Sequence, residues 1–285
     1  MRQIIVNADD FGLTRGVNRA ILELNLGGVL TSATLMANAS ASDDAIELAL
    51  NTPSLAVGCH VVLVDGTPVL PPSAIPTLID PQTGQFHRKL TTFLRLLLSG
   101  RIHPADIERE AAAQITRLTQ SGLHLTHIDT HKHTHMFPGV LRPVLQAARA
   151  TGIPTVRNPF EPLWSLRATP TAPIARRIEV NLLHNLQASF RRIVASHGFA
   201  TTDGSLGILA TGSLNAETIP SLVHAIPEGT WELVTHPGYN DPDLAQVTTR
   251  LKESREIERA ALAAVTLEEE IKLVTFAALG RQLPT

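Results

Sequence analysis

His124-Leu-Thr-His127-Ile-Asp129-Thr-His131-Lys-His133-Thr-His135 is the stretch on which the reading of this chain turns. Residues 125–129 read as a short strand, and the histidines crowd where that strand ends. From His127 onward every second residue is His, Asp, His, His, His, with Ile128, Thr130, Lys132 and Thr134 between them. Alternate side chains of an extended backbone share one face, so the spacing predicts a row of imidazoles and one carboxylate. Neutral imidazole is the commonest protein metal ligand near neutral pH, and carboxylates complete such sites. The competing reading is a His-rich surface loop, or histidines that only hydrogen-bond structurally. Burying so many polar rings would need partners or an ion.

Working outward, short apolar runs alternate with amphipathic segments. Residues 3–6 predict a buried strand centred on Ile4-Ile5-Val6, followed by a helix from a Thr14 cap to about Asn25, stopped by Gly27-Gly28. Further strands are expected at 33–36, 55–63, 125–129, 154–157, 206–210, 232–235 and 271–276. Helices are expected at 42–50, 104–119 and 138–151, and from about Glu217 and Leu244. A Pro-rich loop runs from Gly66 to Gln85. Repeated βα units imply a parallel sheet, either open or closed into a barrel. Asp9-Asp10, His60, the histidine run and His236 all fall where strands end. Barrel active sites are built at the C-terminal strand ends. The expectation is therefore an α/β fold, a variant TIM-like (β/α) barrel. Neither GxGxxG nor GxxxxGK[ST] occurs, so nucleotide binding has no local support.

The chain has 285 residues, 44% of them hydrophobic, which suits a single barrel domain over 1–285. A net charge of −2 argues against nucleic acid as a partner. Cys59 is the one cysteine, so no intrachain disulfide is possible and a reducing, cytoplasmic setting is expected. The start of the chain lacks the apolar stretch of a signal peptide, and no segment approaches the ~20 apolar residues of a membrane span. Residues 164–197 stand apart: Arg167, Arg176, Arg177, Arg191 and Arg192 face one acid, Glu179, with Ile174, Ile178, Leu182, Leu183 and Phe190 at helical intervals. This reads as a basic helical insertion. It is either a solvated element packed on the barrel or a patch that meets anionic lipid or covers the active site, which would place the protein peripherally at the inner membrane.

Asn7-Ala8-Asp9-Asp10-Phe11-Gly12 sets two adjacent carboxylates after the first strand. They could be a capping acid beside a solvated one, or a metal ligand beside a general base. His60 and His236, each taken alone, would more often be satisfied core histidines than ligands. Together with the histidine run they make a coherent site. It has one Asp and two His ligands, room for water and substrate, a spare Asp and a spare His.

With these motifs in place, the chain resembles the YdjC-like carbohydrate deacetylase family. The matching residues are Asn7 to Gly12 (NADDFG), Gly58-Cys59-His60, Thr126 to Pro138 (THIDTHKHTHMFP) and His236-Pro237-Gly238. It is more similar still to the hopanoid-biosynthesis-associated branch, through Pro68-Val-Leu-Pro-Pro-Ser-Ala-Ile-Pro76, Thr130-His131-Lys132-His133 and Val156-Arg-Asn-Pro-Phe-Glu-Pro162. The resemblance implies a divalent metal on Asp10, His60 and His131. Asp9 would be the general base that activates water, and His236 the general acid that protonates the departing amine. The substrate implied is an N-acetylated sugar, in the hopanoid branch an N-acetylglucosaminyl group on a polyol-extended hopanoid. Cys59 and Val61 depart from the family pattern, and strand alternation is expected to turn Cys59 away from the ion. Asp129 or His133 is expected to orient His131, His135 to serve the substrate or the surrounding shell, and Arg157 and Glu161 to pair beside the site. Two His and one Asp suit zinc, while magnesium, manganese and cobalt also accept mixed N/O ligation. The alternatives are a chito-oligosaccharide deacetylase, a metal-dependent phosphoesterase or amidohydrolase on a similar barrel, and a non-catalytic sugar or lipid binder. The spare Asp argues against the binder. Homo-oligomers are compatible with the sequence.

Overall fold

β1 (Arg2–Phe11) is the strand around which the protein is built. Its residues from Ile4 to Phe11 are all buried, as a parallel strand covered on both faces requires. The computed structural model describes residues 1–169 and 173–280. After β1 come α1 (Arg15–Leu26), β2 (Ser32–Leu35), α2 (Ser42–Leu50), β3 (Ala56–Val61), α3 (Leu90–Leu98), α4 (Pro104–Gln120), β4 (Ile128–Thr130) and α5 (Pro138–Ala150). Three helices follow, α6 (Ser165–Ala168), α7 (Ile174–His184) and α8 (Gln187–Ser196), then β5 (Gly204–Leu206), α9 (Thr218–His224) and β6 (Gly229–Thr235). The described chain ends with α10 (Pro242–Gln246), α11 (Glu253–Ala264), β7 (Ile271–Leu273) and α12 (Phe276–Gly280).

The strands pair in parallel in the order β4-β3-β2-β1-β6-β5, with β7 against the first residues of β1. The two edges approach each other through the segments around 156 and 200. Ile128 bridges to Val156 and Thr155 to Ala200, and Ser205 gives its amide to the Phe160 carbonyl and its hydroxyl to that of Asn158. The sheet curls into the expected TIM-like α/β barrel, with its C-terminal strand ends gathered on one side.

Local chemistry explains the elements. The Thr14 hydroxyl accepts the Val17 amide at the start of α1, and Val17, Ile21 and Leu24 point inward at helical spacing. The Pro-rich loop is pinned from α4. Glu110 accepts the amides of Val69 and Leu70, Asp106 accepts the amide and hydroxyl of Thr77, and Gln114 brackets Val62.

The end of β1 carries the decisive irregularity. Its register against β2 slips by one residue between Ala8 and Phe11, and Asp10 lies in the left-handed region at φ 63°. In a regular strand Asp9 and Asp10 would face opposite sides. A bulge with one residue wound left-handed re-aims a side chain, and here both carboxylates reach the same cavity.

Three expectations need correcting, the first being the strand at 206–210: the strand there is β5 (Gly204–Leu206), and Gly207 turns left-handed at φ 87°. The alternating histidine face ends at Thr130. His131–Met136 is a turn of 3-10 helix in which Lys132 (φ 56°) and His133 (φ 52°) are left-handed, so the later histidines do not share one face. Residues 154–157 contribute bridges rather than a full strand. α3, whose sequence LTTFLRLLL lacks a capping side chain, was not anticipated. Within the 164–197 segment, residues 170–172 lie outside the described residues.

Candidate active site

Three side chains from three strand ends converge. Asp10 Oδ1 is 3.3 Å from His131 Nδ1 and 3.6 Å from His60 Nε2, and the two ring nitrogens are 3.3 Å apart. A tetrahedral ion with bonds of about 2.0–2.1 Å holds its ligand atoms about 3.3 Å from one another. The donors present therefore fit one divalent cation in both type and spacing, with remaining positions open to the cavity. Asp9, His60 and Asp129 form a second close group. That group is already satisfied by hydrogen bonds and by a guanidinium, so the first triad is the better metal site.

His60 is aimed by Asp129, whose Oδ1 lies 2.7 Å from His60 Nδ1. This fixes Nε2 toward the triad in the carboxylate–histidine arrangement common around metals. Asp129 does not orient His131; its partners are His60 and Arg157. Burial alone would lower the His60 pKa, but Asp129, Asp9 and Asp10 pull it up to about 9. The negative field that draws a proton to this ring is the field that a cation would feel. Asp10 is held well below the usual carboxylate range: burial opposes this, but Arg255 on Oδ2, together with His131, outweighs it.

Asp9 is gripped by Arg157, with Nη2 2.6 Å from Oδ1 and Nη1 2.8 Å from Oδ2. Asn7 and Thr34 also donate to Asp9 Oδ1. Burial pushes its pKa up, but Arg157, with His60 and His236, holds it far below the ordinary range. His236 Nε2 stands 3.8 Å from Asp9 Oδ2. Burial pushes His236 down to about 4 despite Asp9 and Asp10, so the ring is neutral near pH 7. Its amide donates to Glu258, a buried acid that burial raises to about 8.

The remaining candidates divide. His133 is half-buried at the cavity, and its buried Nδ1 has no hydrogen-bond partner among the described residues. His135 meets Thr130 Oγ1 at 2.8 Å and the Arg157 carbonyl at 3.3 Å, so it supports Arg157 rather than substrate. His127 is structural: it stacks on Phe276, meets Asn7, and its ring lies against the Cα of Gly58, where any Cβ would come within 2.5 Å of it. Cys59 is buried and does not line the cavity. Arg157 does not pair with Glu161; its partners are Asp9, Asp129 and Glu232. Glu232, Arg255 and Glu258 were missed. A charge inside the apolar strand Trp231-Glu232-Leu233-Val234 was a usable signal for Glu232. Arg255 and Glu258 look like any i, i+3 pair on an exposed helix.

Glu161 instead accepts the Ser165 hydroxyl and the Leu209 amide. Burial raises its pKa to about 7 against those donors. A raised carboxyl contributes stability that is complete below the ordinary carboxylate range and is lost as pH climbs through the folded value. Glu161→Gln has no such proton to lose. Its unfolding free energy should therefore fall less than the wild type's between about pH 5 and about pH 8, by up to about 3 kcal/mol. Parallel pH profiles would disprove the assignment.

The site opens into a cavity of about 1180 Å³. Asp9, Asp10, His60, His131 and His236 line it, and so do the aliphatic and aromatic side chains of Met36, Leu94, Phe137, Ile178, Leu182 and Leu183.

Known proteins are similar to this chain over nearly its whole length. A carbohydrate deacetylase of Brevibacillus brevis is 34% identical over 98% of this chain and 100% of its own. One of Geobacillus stearothermophilus is 34% identical over 96% of this chain and 97% of its own. The crystal structure of a candidate cellobiose-phosphate cleavage protein from Enterococcus faecalis superposes with a TM-score of 0.72 at 26% identity, covering 98% of each chain. The model of the YdjC-like protein family matches residues 3–272, and the chain belongs to that family.

Proposed function

We propose that the protein is a metal-dependent N-deacetylase acting on an N-acetylated sugar carried by an apolar aglycone, the N-acetylglucosaminyl group of a hopanoid glycolipid. The observation that carries this reading is the cavity, which sets acids and histidines beside walls of Leu94, Phe137, Ile178 and Leu182. A bare sugar would cover only part of those walls, through its C–H faces. The carbohydrate deacetylases among the relatives support the amide chemistry.

Asp10, His60 and His131 would hold a divalent cation (zinc first, with magnesium, manganese or cobalt as alternatives), which would supply Lewis acidity for the amide carbonyl and the attacking water. The chain's own groups manage the protons. Arg157 keeps Asp9 ionised, so Asp9 accepts the water proton as general base. His236 is neutral at rest, and the proton it delivers to the departing nitrogen is therefore acquired during turnover; Asp9 Oδ2 at 3.8 Å is the near source. The C–N bond breaks, the acyl carbon gains the hydroxyl, and acetate and a free amine leave.

Acetate release is measured from N-acetylglucosaminyl hopanoid and from diacetylchitobiose, each with and without chelator. Release from the hopanoid alone, abolished by chelator and restored by added metal, is expected. Release from chitobiose alone would keep the mechanism and replace the substrate by a chito-oligosaccharide. Release from neither, with metal bound, would reject the deacetylase reading.

A further inference from the structure

α7 does not bury all of its apolar side chains. Ile174, Ile178 and Leu182 are 76, 54 and 66% exposed. Their four-residue spacing puts them on one stripe of the helix. Ile178 and Leu182 also line the reaction cavity, so the stripe runs from the cavity wall out to solvent. Arg177, three residues after Ile174, flanks the stripe and donates to the Leu166 carbonyl. The neighbouring helices α6 and α8 add the exposed Arg167 and Arg192, while Arg191, also exposed, donates to the Asp203 carbonyl. A helix that merely covers a cavity would turn polar residues outward; this one turns aliphatics outward among arginines.

We propose that the outer stripe of α7, with the arginines around it, docks on an anionic lipid bilayer and holds the cavity mouth at its surface. Aliphatic side chains would enter the acyl boundary while guanidinium groups meet anionic headgroups. No helix among the described residues is long and apolar enough to cross a membrane, so this contact is peripheral. A second copy is the poorer occupant, because a two-fold contact through the stripe would set Arg177 and its neighbours against copies of themselves. The docking deepens the proposed function, and rests on that reading only in explaining how an apolar aglycone reaches the cavity; binding itself is measured without substrate.

The test is co-sedimentation of the full chain with phosphatidylcholine vesicles, with and without phosphatidylglycerol, at low and high salt. Wild type is expected to pellet with the anionic vesicles and to be released by salt. Ile174→Asp, at a position outside the cavity lining, should lower the partition coefficient by about tenfold or more with an unchanged circular dichroism spectrum. Arg167→Gln with Arg192→Gln should weaken binding to the anionic vesicles only, which separates charge from folding. Failure to pellet, or pelleting indifferent to phosphatidylglycerol and to these substitutions, would overturn the proposal. So would a salt-insensitive dimer that Ile174→Asp dissociates in the absence of vesicle binding. Neither result would touch the deacetylase assay.

Discussion

Asp10→Asn is expected to lose bound metal and acetate release together, each by about a thousandfold or more, whereas Asp9→Asn keeps its metal and loses only turnover, by about 10²–10⁴. The two acids are neighbours in sequence and opposites in surroundings. Asp10 Oδ1 is a corner of the triad, and its Oδ2 is held by Arg255. An amide there offers a neutral oxygen and leaves the buried Arg255 without its counter-charge. Asp9 is not a corner of that triad; both its oxygens lie on Arg157 and one faces His236. Asp129→Asn should fall between them, with metal affinity down about 10–100-fold, because it loosens His60 without removing a ligand. Metal content per chain after gel filtration and kcat on the same samples separate the three. Metal lost from Asp9→Asn but retained by Asp10→Asn would reverse the roles.

The sequence made those two acids visible but not how both could serve one site. Alternation along β1 argues that one of them should point away, and the bulge that defeats alternation leaves no composition signal: Asp10 is a non-glycine residue in the left-handed region. The same blindness affected the histidine run. A period of two is a sound warrant for an extended chain, and it held only through Thr130. Past that point Lys132 and His133 wind left-handed, so His131 reaches the triad through Nδ1 while His135 turns back to Arg157. Barrel class was legible because it rests on many weak repeats of one pattern. Partner choice within the site was not, because Arg157 and Arg255 meet their acids across 148 and 245 residues of chain. Glu161 shows the resulting error. It stands four residues from Arg157 and looked like its partner, while the true partners lie on β1, β4 and β6.

Arg157→Met should cost about 3–5 kcal/mol, a fall in melting temperature on the order of 10 °C. The guanidinium is fully buried and spends every N–H on an acid: Nε and Nη2 on Glu232, Nη1 and Nη2 on Asp9, and Nη1 also on Asp129. Without it three carboxylates share one dry pocket, and leaving buried charges unpaired costs more than the pair was worth. Glu232 already sits at the margin, since burial raises its pKa to about 7 even with Arg157 beside it. Arg157→Lys should recover only part of the loss, because one ammonium cannot span three acids arranged for a planar fork. Arg157→Met combined with Glu232→Gln should regain stability relative to Arg157→Met alone, since it removes one of the stranded charges. That non-additivity, read from a double-mutant cycle of thermal unfolding, distinguishes an electrostatic keystone from a space-filling side chain. Additive effects, or a melting temperature for Arg157→Met within about 2 °C of wild type, would show that the acids are neutralised by other means. The cluster would then have to be held together by protons rather than by the arginine, and Asp9 could not be counted as ionised and ready to act as a base.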